Sequence, residues 1–143
     1  YGRDTSLSVD LGRYLVATVD THFRDTPFDV LTYVPLFAAR ERQRCFNQSR
    51  LLAQQLARAQ GGVQVAGVLR RTRNTGTQTH LSAVDRRANV YRAFECRDPA
   101  WTRGRRFLLI DDVMTTGATV SECSRVLKEA GAAGVHVATV ARG

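Results

Sequence analysis

The sequence has few of the residues that characterise small stapled proteins and fibrous or low-complexity chains. Among its 143 residues are 3 cysteines, 3 prolines, 1 methionine and 1 tryptophan. Cys45, Cys96 and Cys123 lie far apart and form no C-x-x-C pair, which argues against a zinc site or a disulfide framework and fits a reducing cytoplasm. With 43% hydrophobic and 24% charged residues, the composition is that of a folded globular domain.

Long apolar runs are also missing from the sequence. The densest short run, at residues 107–110, is far below the roughly 20 residues of a transmembrane helix. No charged start followed by an apolar core is present, so no secretion signal is predicted. We therefore expect no membrane insertion and a cytoplasmic location. The length predicts a single domain over residues 1–143, which can bury a core without metal or disulfide support.

Lysine is almost absent from a strongly basic chain. The net charge is +8, from 21 basic and 13 acidic residues, and Lys128 is the only lysine. Guanidinium groups bind phosphate in a two-pronged geometry, which favours a polyanionic ligand or nucleic acid. A genome rich in G and C would give the same preference for arginine codons, so both explanations remain open. The positive charge itself predicts attraction to anions.

Hydrophobic spacing predicts alternating helices and strands. Helices are predicted over residues 7–24, 47–60 and 118–130, and strands over residues 29–34, 63–69, 107–110 and 135–140. Residues 70–82 lose this periodicity and predict a long polar loop. The alternation predicts an α/β fold with a mostly parallel sheet flanked by helices.

The most specific pattern follows the strand at residues 107–110. Asp111 and Asp112 come directly after it, where ligands bind at the carboxyl edge of a parallel sheet. A turn with Gly117 and the start of a helix come next, and helix N-terminal amides favour an anion. The carboxylates can accept hydrogen bonds from sugar hydroxyls or help hold hydrated Mg²⁺. A simple helix cap, the alternative, needs only one polar residue. The pattern therefore predicts a sugar-phosphate site, with a phosphate cradle made of Val113, Met114, Thr115, Thr116, Gly117, Ala118 and Thr119.

This segment resembles the phosphoribosyl-pyrophosphate signature of type I phosphoribosyltransferases, and further motifs make the chain similar to the ComF family. Those motifs, in the family's order, are Val34-Pro35-Leu36, Phe46-Asn47-Gln48-Ser49, Arg71-Thr72-Arg73, Arg86-Arg87, Asn89-Val90 and Val140-Ala141-Arg142. ComF proteins are phosphoribosyltransferase-like and are associated with natural competence, the uptake of DNA. Their full-length members usually carry an amino-terminal zinc module, which we expect to be absent from this chain.

The resemblance implies a role for each part of the site. Asp111 and Asp112 would contact the ribose hydroxyls and lie near Mg²⁺ held mainly through the ligand, while the turn would hold the 5′-phosphate. Residues 70–78 would form a flexible lid, in which Arg71 and Arg73 stabilise the oxygens of the departing pyrophosphate. The loop after Pro35 would face the pyrophosphate with Phe37, Ala38, Ala39 and Arg40.

The acceptor is not disclosed by the resemblance. Some nucleobase transferases of this fold place an aspartate base just before the Thr-Gly of the cradle, where this chain has Thr115. A hydroxyl is a poor base at neutral pH, so we expect an acceptor other than a purine deprotonated there, or none.

Arginine clusters keep two further functions open. They occur at residues 40–44, 70–73, 86–87 and 103–106. In one alternative the protein is a basic module that binds single-stranded DNA or competence proteins, with a vestigial phosphoribosyl site. In the other it is a non-catalytic competence adaptor that binds the ligand without releasing pyrophosphate. The partners considered are therefore phosphoribosyl pyrophosphate, single-stranded DNA, competence proteins and a second copy of the chain.

Overall fold

The computed structural model describes residues 2–75 and 80–143, and it confirms the predicted α/β fold with a mostly parallel sheet flanked by helices. The helices are α1 (Gly2–His22), α2 (Ala38–Arg44), α3 (Gln48–Ala59), α4 (Ala83–Val90), α5 (Pro99–Thr102) and α6 (Ala118–Glu129). The strands are β1 (Val30–Tyr33), β2 (Gln64–Val65), β3 (Leu69–Arg71), β4 (Phe94–Cys96), β5 (Arg106–Met114) and β6 (Gly134–Arg142).

The main sheet has the order β2-β1-β5-β6, with every neighbouring pair parallel. Side chains of β5 alternate between its two faces, as the pleat of a strand requires. Phe107 and Leu109 pack in a core cluster with residues of α6, whereas Leu108 and Ile110 pack with residues of α1 and α3. All four are fully buried, which explains why the strand is apolar without interruption.

The central strand β5 extends beyond its neighbour β1. Pairing between β1 and β5 ends at Tyr33 and Ile110, but pairing between β5 and β6 continues to Met114. The predicted strand at residues 107–110 was therefore too short, because β6 supplies partners for three of the next four residues. Asp111 and Asp112 lie within the strand, at the point where β1 has already ended.

The predicted strand at residues 63–69 is divided between two sheets. β2 belongs to the main sheet, while β3 pairs antiparallel with β4. The break falls at Gly67, where an added Cβ would lie 2.6 Å from the Tyr33 hydroxyl oxygen. A side chain at this position would have to displace Tyr33, so the chain turns where its backbone can approach the ring closely.

The strands β3 and β4 and the helix α4 form a small unit beside the main sheet, which we call the hood. Arg73 donates from one guanidinium nitrogen to the carbonyls of Asn89 (3.0 Å) and Tyr91 (2.7 Å) at the end of α4. Glu122 of α6 accepts a hydrogen bond from the backbone N–H of Arg92 at 2.9 Å. The end of α4 is thus fixed both to the segment after β3 and to the core.

The polar loop predicted at residues 70–82 is only partly a loop. Arg70 and Arg71 belong to β3. Residues 76–79 lie outside the described residues, and the flexible lid at residues 70–78 stays a prediction. No described helix is long and apolar enough to cross a membrane.

An ion pair joins the starts of β1 and β5. Asp29 accepts from Arg106 through three hydrogen bonds, from the backbone N–H (2.8 Å), Nε (3.1 Å) and a terminal nitrogen (2.8 Å). These bonds lower the pKa of Asp29 to about 2. Because the charged form is favoured in the folded state, the pair stabilises the fold wherever Asp29 is ionised.

We expect Asp29→Asn to lower the free energy of unfolding at pH 7, because the guanidinium loses its carboxylate. The deficit should shrink as the pH falls from about 4, where the unfolded carboxyl takes up its proton, towards about 2, where the folded one does. Urea unfolding followed by circular dichroism over this range measures the effect. Asp25→Asn, in the exposed turn before β1, is the control, and a deficit that does not change with pH would contradict the assignment.

Candidate functional site

Two cavities of about 190 Å³ each open at the carboxyl end of the sheet, and both are lined by Asp111 and Thr119. The first cavity lies over the turn between β5 and α6, and the second lies beside the end of β1 and the start of α3. Asp111 therefore forms part of the wall of each. Besides the two shared residues, the first cavity is lined by Arg86, Val90, Val113, Met114, Thr115, Thr116, Gly117, Ala118 and Val120.

The turn in the first cavity places N–H groups from the first turn of α6, which have no acceptor within the helix, at the cavity wall. Gly117 has a left-handed φ of 80°, which favours glycine, and it precedes the first residue of α6. Thr116 Oγ1 accepts from the N–H of Ala118 at 3.3 Å, and the first backbone bond of the helix runs from Ser121 N–H to the Gly117 carbonyl. Thr119 is the second residue of α6, so its N–H group has no hydrogen-bond acceptor within the helix. The first cavity therefore has the chemistry of an anion site.

The second cavity combines positive and negative side chains. Asp112 lines it together with Arg44 from the end of α2 and Arg71 from β3. Its remaining lining residues, besides Asp111 and Thr119, are Val34, Leu36, Phe46, Asn47, Gln48 and Ser49. Two guanidinium groups opposite two carboxylates can hold a ligand that carries both anionic oxygens and hydroxyl groups.

Asp111 is a buried carboxylate, with 8% of its surface exposed. Its Oδ1 accepts from Ser49 Oγ at 3.2 Å and from the backbone N–H of Asp112 at 3.0 Å. Burial, and next the charge of Asp112, raise the pKa of Asp111 to about 7. A buried carboxyl group with a raised pKa therefore lies in the wall shared by the two cavities.

The position of Ser49 depends on Asn47, the N-cap of α3. Its side-chain oxygen accepts from the N–H of Arg50 at 3.3 Å, and its Nδ2 donates to the carbonyl of Val34 at 3.1 Å. The start of α3 is thus attached to the end of β1, and Ser49 is directed at Asp111. The helix predicted over residues 47–60 begins at Asn47, one residue before α3, and asparagine at this place is a typical N-cap.

Arg71 reaches the second cavity from the hood. Its guanidinium carbon lies 4.9 Å from the ring centroid of Phe94. Its Nε is buried and has no hydrogen-bond partner within residues 2–75 and 80–143. Burial, more than any other cause, lowers the pKa of this guanidinium. A buried donor without a partner indicates a place where an anionic oxygen can bind.

A family model of the phosphoribosyl transferase domain matches residues 44–143. The chain belongs to this family. It is 38% identical over 140 residues to the DNA utilization protein YhgH of Salmonella typhi. This alignment covers 96% of the present chain and 61% of the Salmonella protein. It is 37% identical over 126 residues to Competence protein F of Haemophilus influenzae, covering 85% of this chain and 53% of that protein.

Solved phosphoribosyltransferase structures share the fold. The glutamine phosphoribosylpyrophosphate amidotransferase of B. subtilis, complexed with ADP and GMP, matches 93% of this chain and 26% of its own, with a TM-score of 0.61 and 25% identity. The present chain spans between 53% and 61% of the length of the two curated relatives named above. These comparisons confirm the type I phosphoribosyltransferase-like fold and the resemblance to competence proteins of the ComF kind.

Two groups of predicted site residues do not line either cavity in the described part of the chain, and their roles toward pyrophosphate stay predictions. Phe37 is the N-cap of α2, and the predicted loop residues Ala38, Ala39 and Arg40 form the first turn of that helix. None of these four residues is among those that line either cavity within the described parts of the chain. The expected loop was wrong because the Ala, Arg and Glu residues after Phe37 favour a helix. From this segment it is Arg44, at the end of α2, that lines the second cavity.

Arg73 is likewise absent from the described residues that line the two cavities. Its guanidinium is used inside the hood, where it holds the carbonyls of Asn89 and Tyr91. A cation at the last carbonyls of α4 also interacts favourably with the helix dipole. The structure therefore gives Arg73 a structural position and leaves Arg71 as the arginine of this segment that faces a cavity.

Because the pKa of Asp111 is raised in the folded state, we expect removal of its charge to increase the free energy of unfolding rather than lower it. A carboxyl whose pKa is higher in the folded state loses stabilisation as the pH rises from about 4, its unfolded value, to about 7. We expect Asp111→Asn to be more stable than wild type above pH 7, by roughly 1 kcal/mol or more. The gain should disappear near pH 4.

Urea unfolding without ligand or Mg²⁺, at several pH values between about 4 and 8, measures this difference. Asp25→Asn again serves as the matched control, because it removes an exposed carboxylate far from the cavities. A destabilised Asp111→Asn at pH 8 would show that the carboxylate is required in its charged form by the fold.

Proposed function

We propose that this site binds phosphoribosyl pyrophosphate with Mg²⁺ and transfers the phosphoribosyl group to an acceptor, in a cytoplasmic protein that serves DNA uptake. The observation that carries the proposal is the placement of Asp111 in the wall shared by two cavities, with Asp112 beside it in the second. The first cavity offers helix N-terminal amides and the second offers Arg44 and Arg71. A sugar with a phosphate at one end and a diphosphate at the other has matching chemistry.

Each end of the ligand has its own set of donors. The turn residues Thr115, Thr116 and Thr119 would bind the 5′-phosphate through backbone N–H groups and hydroxyls. Asp112, which is only half-buried, would accept hydrogen bonds from the ribose hydroxyls together with Asp111. The second cavity would take the pyrophosphate, where the partnerless Nε of Arg71 supports the assignment.

The donor set fits a magnesium ion that is held mainly by the ligand. Mg²⁺ is commonly bound by one or two carboxylates together with substrate phosphates. Asp111 and Asp112 provide two carboxylates, and no group of three or more His, Cys, Asp and Glu side chains gathers in the described part of the chain. When bound, the ion neutralises negative charge on the pyrophosphate oxygens.

Transfer breaks the bond between ribose C1 and a pyrophosphate oxygen, and the electron pair of that bond leaves with the pyrophosphate. The acceptor supplies the electron pair of the new bond to C1 and gives up its proton to solvent or a nearby base. Arg44 and Arg71 would stabilise the charge that builds on the leaving oxygens. Thr115 is exposed, and its hydroxyl cannot act as a base at neutral pH. The acceptor is therefore a group other than a purine that is deprotonated at this position.

Calorimetric titration with phosphoribosyl pyrophosphate and Mg²⁺ tests the proposal. We expect Asp112→Asn and Asp111→Asn to bind about 10- to 100-fold more weakly than wild type, the equivalent of losing one or two hydrogen bonds to a charged group. Asp25→Asn should bind like wild type. Equal affinity of wild type and both site variants would refute the assignment, and the urea unfolding of Asp111→Asn described above shows whether weaker binding comes from unfolding.

A second candidate function, binding of single-stranded DNA, is favoured by one surface feature. Tyr91 is 51% exposed, and the guanidinium carbons of Arg92 and Arg125 lie 5.3 Å and 5.6 Å from its ring centroid. An aromatic ring can stack a base while Arg92 contacts a phosphate, whereas Arg125 is already bonded to Glu122 and Glu129. The DNA utilization protein and Competence protein F among the relatives are named for DNA-related processes.

If this surface binds single strands, affinity for a labelled oligonucleotide should fall about tenfold or more as salt rises from about 50 to about 200 mM. Tyr91→Ala should weaken binding about tenfold, since one stacked base is lost. Tyr14→Ala is the matched control, because Tyr14 is 72% exposed on α1. Fluorescence anisotropy measures both effects. An affinity that changes neither with salt nor with Tyr91→Ala would show that this surface does not bind single-stranded DNA.

A further inference from the structure

One charged side chain enters the first cavity from outside the core. The described residues that line this cavity from β5, the turn and α6 provide N–H groups, hydroxyls and the carboxylate of Asp111, but no cation. Arg86, on the hood helix α4, is the positively charged residue among the lining set. A phosphate in this cavity lies near a carboxylate, so a cation on the opposite wall would offset the repulsion.

The helical geometry of α4 explains why Arg86 lies there. Arg86 and Val90 are four residues apart, share one face of the helix and both line the cavity. Val90 is 3% exposed and packs in the core cluster that contains Val120 and Cys123 of α6. Arg86 is half-buried on this face, whereas the adjacent Arg87 is exposed.

The helix that carries Arg86 is held in place from several directions. Arg73 holds the carbonyls of Asn89 and Tyr91, and the Asn89 side chain donates to the carbonyl of Thr75 at 3.0 Å. Glu122 fixes the backbone of Arg92 directly after the helix. A guanidinium on a fixed helix loses less freedom when it binds than one on a loop, which favours a role in recognition.

We propose that Arg86 binds the 5-phosphate of the ligand in the first cavity. This inference rests on the proposed function, since it assigns the phosphate end of the same ligand. Backbone amides bind an anion of any charge, whereas a guanidinium strengthens binding as the ligand's charge increases. The hood thereby contributes a residue to each cavity, Arg86 to the first and Arg71 to the second.

The test compares two ligands and a pair of neighbouring arginines. Ribose 5-phosphate probes the first cavity, and pyrophosphate with Mg²⁺ probes the second, each by calorimetric titration. We expect Arg86→Gln to bind ribose 5-phosphate about 10- to 100-fold more weakly than wild type, as for loss of a charge-assisted contact. Arg86→Lys, which keeps the charge without the fork, should be intermediate, and Arg87→Gln should match wild type.

The outcomes separate this inference from the proposed function. If wild type binds neither ribose 5-phosphate nor phosphoribosyl pyrophosphate, both fail together. If wild type binds and Arg86→Gln binds as well as Arg87→Gln, only the role of Arg86 is overturned. An equal loss for pyrophosphate and ribose 5-phosphate in Arg86→Gln would also overturn it, since the effect would then be general charge or misfolding. Thermal melting of Arg86→Gln and Arg86→Lys identifies misfolding directly.

Discussion

The site depends on a carboxylate that is buried where a neighbouring strand has ended. β1 stops pairing at Tyr33, one register position before Asp111, while β6 carries β5 onward. Burying a carboxylate is costly unless hydrogen bonds compensate, and here Ser49 and the Asp112 amide provide them. Ser49 can do so because Asn47 attaches the start of α3 to the end of β1. The ends of three elements are thus fixed around one acid.

The same offset between strands creates the two cavities. A β1 as long as β5 would occupy the space beside Asp111 and Asp112, which the second cavity now uses. On the other side, the turn at Gly117 brings the first residues of α6 over the end of β5. Asp111 belongs to both walls, so a ligand that spans the two cavities passes directly over it. This arrangement is the basis of the ligand proposed above, a sugar flanked by two anionic groups.

The sequence was informative where the relevant contacts are local. The apolar strand, the acid pair, the glycine turn and α6 follow one another without interruption, so residues 107–130 could be predicted closely. The hood could not, since β3 and β4 have three residues each and pair across more than twenty positions of the chain. Arg73 was assigned to the lid with Arg71 by the family resemblance, and no sequence pattern indicated that its partners lie at the end of α4. Arg44 and Arg86 were recognised only as members of motifs, because tertiary packing alone brings them to the cavities.

Several of the arginines make contacts that depend on the shape of the guanidinium group. Arg106 uses two side-chain nitrogens on both oxygens of Asp29, and Arg125 uses its guanidinium to bind Glu122 and Glu129 together. Arg73 bonds two carbonyls at once. A lysine ammonium is a single point of charge and cannot reproduce the forked contacts of Arg106 and Arg125, whereas Arg73 reaches its two carbonyls from a single nitrogen. Codon preference can explain arginines on open surface, but the two-nitrogen contacts of Arg106 and Arg125 favour a guanidinium whatever the codon usage.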